Sequence, residues 1–255
     1  MKKTDIKDFL EEKYRLFASP TFLETDPIQI PRSYSRKEDI EIAGFLAATL
    51  SWGQRPQIIL FVKSMLGHMG ESPYEFIMDA SSTDLKPLSK FYYRTFNGID
   101  CLAFIKSLQR IYRSKSSIHQ LIVEGYEKEH TVKGAITHLR TAFLNDDFPT
   151  RSQKHISNPM AGSAAKRLNM YLRWMVRPPK EGVDLGLWPE IPSSALMLPL
   201  DLHSSRVARS LGLLNRKQND WKAVEEVTQN LRIFDSNDPV KYDFALFGLG
   251  VFEKF

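Results

Sequence analysis

The chain is short of the residues and patterns that define several large protein classes. Cys101 is the single cysteine among 255 residues, so no internal disulfide and no four-cysteine cluster can form. No apolar run approaches the ~20 residues of a spanning helix. Asp5 and Asp8 interrupt the first segment before any long hydrophobic stretch, which argues against a signal peptide and makes a cytoplasmic protein the expectation. The histidines show no metal-ligand spacing. There is no internal repeat and no run of alternating strand. With 42% apolar and 25% charged residues there is also no compositional sign of extended disorder. The net charge of +5 favours a polyanionic partner only weakly.

What is present is a series of punctuated helical segments. Residues 4–18 carry Ile6, Phe9, Leu10 and Tyr14 at helical spacing, whereas residues 19–34, with Pro20, Pro27 and Pro31, read as an extended surface segment. Ser35-Arg36-Lys37-Glu38 has capping-box spacing ahead of Ile42, Phe45, Leu46, Thr49 and Leu50, and predicts a buried helix stopped by Gly53. Another follows Gln54-Arg55-Pro56 and closes near Gly70; the next opens with the box Ser72-Pro73-Tyr74-Glu75; Asp100 is the expected cap of a fourth. Helices over 117–128 and 131–144 follow, then one capped by Asp220 and a last one beginning at Asp238-Pro239 and stopped by Gly248. About ten helices with short connections predict an all-α protein.

The chain is organised around residues 159–213. Lys166, Met170, Arg173 and Arg177 recur at spacings of 4, 3 and 4 along one helical stripe, opposite Leu168, Leu172 and Met175. One face is predicted as core and the other as basic. A loop with Pro178, Pro179, Pro189 and Pro192 leads to Pro199 and Asp201, an N-cap candidate. His203, Arg206 and Arg209 then form a second basic stripe beside Val207, Leu211 and Leu214.

These residues carry a resemblance. The Gly162-Ser163-Ala164-Ala165-Lys166 turn, followed by Pro199-x-Asp201-x-His203-x-x-Arg206-Val207-Ala208-x-x-Leu211-Gly212, resembles the catalytic segment of the helix-hairpin-helix DNA glycosylase superfamily. Asp184-Leu185-Gly186-Leu187-Trp188 and the stretch from Asp238 to Leu246 narrow it to a bacterial family without an established activity, related to the archaeal 8-oxoguanine DNA glycosylases. The resemblance implies a two-lobed, all-α glycosylase-like fold with a helix-hairpin-helix type motif. Residues 35–177 would form the lobe carrying the hairpin and Lys166, residues 1–34 plus 201–255 the second lobe, and 178–200 the proline-rich connection. It also implies Lys166 as nucleophile, Asp201 as its electrostatic and proton-transfer partner, and no cofactor, the lone cysteine removing the iron-sulfur branch. Two departures stand out. Ala164 occupies a position where the superfamily usually has a second glycine, so a positive φ there would be strained. The 35-residue separation of Lys166 and Asp201 exceeds that of the iron-sulfur members, but added loop need not move either helix.

The chemistry needs these residue types. Stretching the bond between base and deoxyribose leaves positive charge on the sugar, so the reaction calls for an extruded base, a nearby negative group and a nucleophile at the anomeric carbon. A lysine amine can in addition form a Schiff base that permits strand cleavage. Trp52 and Gln54 are base-pocket candidates, against the plainer reading of a core tryptophan and a polar loop. Trp188 could stack on a base or simply pack its loop, and His203 reads as a helix or groove residue. Arg167, Arg173, Arg177, Arg206 and Arg209 are the phosphate-contact candidates, each otherwise a solvated side chain. The function expected is base-excision repair: an N-glycosylase with abasic-site lyase ability, an oxidised purine such as 8-oxoguanine being the first candidate lesion. Its partner would be duplex DNA with a flipped damaged base, bound by a monomer with no membrane association. The competing classes are a non-catalytic nucleic-acid-binding protein on the same scaffold and a helical protein-interaction scaffold.

Overall fold

The computed structural model describes residues 3–255. They are mostly helical and divide into two compact units, Met1–Glu24 with Pro159–Phe255, and Thr25–Asn158. The first described element, α1 (Lys3–Phe17), buries Ile6, Leu10 and Tyr14 on one face. The proline-containing stretch after it is not extended. It is a succession of 3-10 turns at Pro20–Glu24, Pro27–Gln29 and Pro31–Ser33, because each proline sits at the start of a turn where its missing N–H costs nothing.

The continuous unit is built around α2 (Lys37–Leu50), in which every residue from Asp39 to Leu50 is buried, so the helix is a core rod with other elements on all sides. Its N-cap is Arg36, with no side-chain capping bond, and not the expected Ser35. Then come α3 (Arg55–Gly67), α4 (Pro73–Asp79), a two-residue hairpin of β1 (Tyr92–Tyr93) and β2 (Phe96–Asn97), and α5 (Gly98–Arg113). Neither strand was expected from the sequence, since two residues hold no alternating pattern. Ser72 caps α4 as expected, accepting from the Glu75 N–H. For α5 the cap is Asn97, and Asp100 sits three residues further on, closing a capping box. The pair α6 (Ile118–Glu129) and α7 (Val132–Phe143) completes the unit, each capped by a hydroxyl, Ser117 and Thr131. They approach closely at Gly125, where a Cβ would lie 2.5 Å from the Cβ of His138.

The discontinuous unit holds α8 (Lys166–Val176), α9 (Leu202–Ser210), α10 (Trp221–Phe234) and α11 (Tyr242–Val251) together with α1. Asp220 caps α10, while α11 starts after a 3-10 turn at Pro239–Lys241 and runs past Gly248. The expected lobe boundary at residue 177 is therefore displaced: α8 and the proline-rich loop belong with the chain ends, as Asp201 was expected to. The reason is packing. The loop hydrogen-bonds back to α8 through Leu185 N–H to Trp174 O at 2.8 Å and Trp188 N–H to Met175 O at 3.0 Å. No helix among the described residues is long and apolar enough to cross a membrane.

Candidate active site

Lys166 is the first residue of α8, and the turn before it fixes where its side chain leaves the backbone. Gly162 takes φ +88°, and Ala165, the N-cap, takes the left-handed conformation at φ 47°, ψ 36°. The positive φ thus falls on Ala165 and not on Ala164. For an L-residue this costs about 1–2 kcal/mol, so surrounding bonds must hold it. The Ser163 hydroxyl accepts from the Ala165 N–H at 3.2 Å, the Asn169 side chain donates to Ala164 O at 3.1 Å, and Trp221 N–H donates to Gly162 O at 2.9 Å. The turn is clamped to its own helix and to the start of α10.

Asp201 is the N-cap of α9, as its sequence context predicts. Its Oδ1 accepts from the His203 N–H at 2.8 Å, the Ser204 N–H at 2.9 Å and the Ser204 hydroxyl at 3.1 Å, while the Ser204 Oγ accepts from the Asp201 N–H at 2.9 Å. One carboxylate oxygen is thereby committed to the cap. The other, Oδ2, lies 4.0 Å from Lys166 Nζ, with the two side chains 18% and 31% exposed. Two helix N-termini therefore bring an amine and a carboxylate together at a solvent-accessible position, close enough to interact and too far for a tight hydrogen bond.

Behind this pair the interior is ionic. Arg173 is buried; its Nε lies 3.3 Å from Asp184 Oδ1, its Nη1 is paired with Asp243 Oδ2, and its guanidinium stacks 4.3 Å over the Phe244 ring. Arg177 is buried as deeply, with Nη1 3.0 Å from both Asp184 and Glu181, Nε 2.9 Å from Asp238, and Nη2 donating to the Tyr14 hydroxyl at 2.6 Å. Burial alone would lower the Arg177 guanidinium, but Asp184 and Asp238 raise it above its ordinary value. The expected phosphate contacts at Arg173 and Arg177 are thus corrected: both charges are consumed inside the unit, because a helical wheel separates polar from apolar without saying whether a polar side chain has a partner. Asp243, in the first turn of α11, was not singled out. Burial, together with the charges of Asp201 and Asp184, pushes its carboxyl up to about 6, while Arg173 and Lys166 pull the other way.

The remaining candidates separate clearly. Trp188 is 1% exposed and meets Tyr171 edge-on at 5.4 Å, so it is core and not a base-stacking platform. Arg209 donates to Arg216 O, Lys217 O and the Asn219 side chain, folding the loop after α9. Arg206 is exposed and donates to Gly250 O at 3.0 Å. Arg167 is half-buried, and burial draws its guanidinium down to about 10. His203 is exposed, edge-on to Phe247 at 6.5 Å. Trp52 and Gln54 belong to the other unit. There Trp52 stacks on His155 at 5.8 Å and its carbonyl accepts from the Tyr93 hydroxyl at 2.8 Å, while Gln54 is an exposed N-cap of α3. Among the described residues no group of three or more His, Cys, Asp or Glu is placed to hold a metal ion.

Fold and site together define a helical protein in which a lysine and an aspartate, each at a helix N-terminus, are paired above a buried ionic interior. The chain belongs to the family described as "Protein of unknown function (DUF2400)", which matches residues 26–252. No curated protein and no solved structure matches it.

Proposed function

We propose that the chain is a DNA base-excision enzyme of the helix-hairpin-helix glycosylase type, with Lys166 as nucleophile and Asp201 as its electrostatic partner. The observation that carries this reading is the 4.0 Å approach of Lys166 Nζ and Asp201 Oδ2 from positions 35 residues apart. The same reading takes the Gly162–Lys166 turn as the hairpin of a two-lobed glycosylase scaffold. It takes duplex DNA with an extruded damaged base as the partner, bound in the cytoplasm by a monomer, and an oxidised purine such as 8-oxoguanine as the first lesion to test.

In the reaction the neutral Lys166 amine bonds to the sugar's anomeric carbon, and the base departs with the bonding electrons and takes up a proton. Opening of the sugar ring then gives a protonated Schiff base, from which loss of a C2′ proton expels the 3′ phosphate. Asp201 Oδ2 faces the place where positive charge develops, while Oδ1 keeps the side chain fixed through the cap. Arg206, midway along α9, and the half-buried Arg167 remain as phosphate-contact candidates.

Borohydride trapping on duplexes carrying an abasic site or a panel of lesions tests the reading. Wild-type protein is expected to give a covalent complex, and Lys166→Ala none while still binding duplex. Asp201→Asn keeps the cap, since asparagine caps about as well as aspartate, so its expected loss of roughly 10²-fold in turnover reports the missing charge. Duplex binding without base release, strand cleavage or trapping on any lesion would instead establish a non-catalytic DNA-binding protein.

A further inference from the structure

Lys166 and Asp201 start different helices, and bonds that bring the two starts together run through a third stretch of chain, residues 215–221. The proline-rich loop joining α8 to α9 hydrogen-bonds to α8 at Trp174 and Met175, in its last turn. At 1.5 Å per residue that anchorage lies about 12 Å along the helix from Lys166, so the end that carries the amine needs a hold of its own. At that end the Ser163 and Asn169 side chains bond within the turn and its own helix, whereas Gly162 O accepts from the Trp221 N–H at 2.9 Å and Ser163 forms an antiparallel bridge with Asp220. The turn is thus seated on the residues that open α10. The residue before them, Asn219, faces α9. Its Nδ2 donates to the Ser205 hydroxyl at 2.9 Å, and its Oδ1 accepts from Arg209 Nη2 at 2.6 Å. Ser205 is buried one helical turn from Asp201, to whose carbonyl its own N–H donates at 3.0 Å. Arg209 also donates to the carbonyls of Arg216 and Lys217, through Nη2 at 2.8 Å and 2.9 Å.

We propose that residues 215–221 are the strut that sets the approach of Lys166 to Asp201, with Asn219 and Arg209 as positioning residues that act through the backbone. Its catalytic consequence rests on the proposed roles of Lys166 and Asp201. Two features suit the segment to this task. It is stiffened internally, for Arg216 Nε pairs with Asp220 Oδ1 at 2.6 Å and the Asn215 N–H donates to Glu226 at 2.6 Å. It also grips both helix starts within three consecutive residues: Asn219 holds α9, while Asp220 and Trp221 hold the Lys166 turn. The pair itself needs such a scaffold. At 4.0 Å it is beyond direct hydrogen-bonding distance, and an ion pair of that length and exposure is too weak to hold two helix ends by itself. Attack geometry, in contrast, is sensitive to shifts of about 1 Å. Arg209 thereby takes a role different from a phosphate contact, since its Nε and Nη2 donors are engaged by the loop.

Carbodiimide coupling on the full chain reads the approach without reference to turnover, since it joins an amine to a carboxylate where the two lie close together. Peptide mass spectrometry of wild-type protein is expected to show a Lys166–Asp201 cross-link. Lys13–Glu253 and Lys241–Asp235, both paired at 2.7 Å in the same unit, serve as internal standards. Asn219→Ala and Arg209→Ala should each lower the Lys166–Asp201 yield several-fold relative to those standards. Asn219→Asp, which still accepts from Arg209, should restore most of it. An unchanged relative yield in both alanine variants overturns the proposal, as does absence of the Lys166–Asp201 product from wild-type protein. So does a fall of all three cross-links together, which would mean that the unit as a whole has loosened. On an abasic duplex at saturating protein, the two alanine variants should slow borohydride trapping on the order of 10- to 100-fold while duplex affinity stays within about 2-fold. Lost affinity with an unchanged saturated rate would instead make Arg209 a phosphate contact and overturn its positioning role. If the cross-links behave as described and no duplex traps the wild type, the enzymatic reading of Lys166 fails while the strut stands.

Discussion

In the continuous unit, Phe45, Phe96, Phe104, Phe143 and Phe148 meet ring against ring, Phe104 lying 5.0 Å from Phe143 and 5.3 Å from Phe96. In the discontinuous unit the corresponding depth is occupied by Arg173 and Arg177 threaded among Asp184, Asp238 and Asp243. The continuous unit does bury acids, but singly: Glu41 takes the Tyr112 hydroxyl, and Asp100 takes Ser152 and Arg151. A core of rings gains with area and is indifferent to proton concentration. A core of ion pairs has already given up the hydration of every charge, so it is stable only while all partners are present. The candidate site sits in the unit with the second kind of core, where buried charges hold the helices together.

The largest expected effect comes from Arg177→Ala. It should destabilise the discontinuous unit by ~4 kcal/mol because Asp184, Asp238 and Glu181 lose their shared cation. Burial already pushes the Asp184 and Asp238 carboxyls up, with Arg177 opposing it. Without the guanidinium their folded-state values rise further. Stability is then retained where both acids are protonated in either state, and is lost as pH climbs through the raised values. Urea unfolding at pH 5 and pH 8 should therefore show a deficit that grows with pH. Phe104→Ala should cost about 3 kcal/mol through the cavity it leaves, with the same deficit at both pH values. Equal pH slopes for the two variants would erase the distinction between the cores. Ser117→Ala, which removes the cap of α6 in the aromatic unit, should cost about 1 kcal/mol and leave both slopes alone.

Local signals were legible and partnerships were not. Asp201, Asp220 and Ser72 announce themselves as caps because a short acceptor before an apolar run has one energetically sensible use, and all three caps form. The Lys166–Asp201 pair was reachable through a spaced motif whose two halves each start a helix. Arg173 and Arg177 misled because their partners Asp184, Asp238 and Asp243 lie 7 to 70 positions away, and periodicity reports only which way a residue faces on its own helix. Trp188 left two readings open, and the packing one holds because its loop folds back onto α8. Asp243 lay inside a stretch already noted for its resemblance. Its burial and its pairing with Arg173 across 70 positions are features that no local pattern encodes.

The clasp between α1 and α11 has a consequence in the order of synthesis. The ring of Phe17 lies where a side chain at Gly248 would be, and Lys13 reaches Glu253 across 240 positions. Tyr242 donates to Glu11 at 2.6 Å in the same clasp. On a ribosome α1 emerges early, the continuous unit follows and can fold behind it, and α1 waits with its apolar face uncovered until α11 is released. The unit that carries Lys166 and Asp201 is thus closed by a helix made long after α1. A nascent chain lacking α11 would present a folded aromatic unit with an exposed amphipathic helix ahead of it, a natural client for a chaperone and an early target for proteolysis.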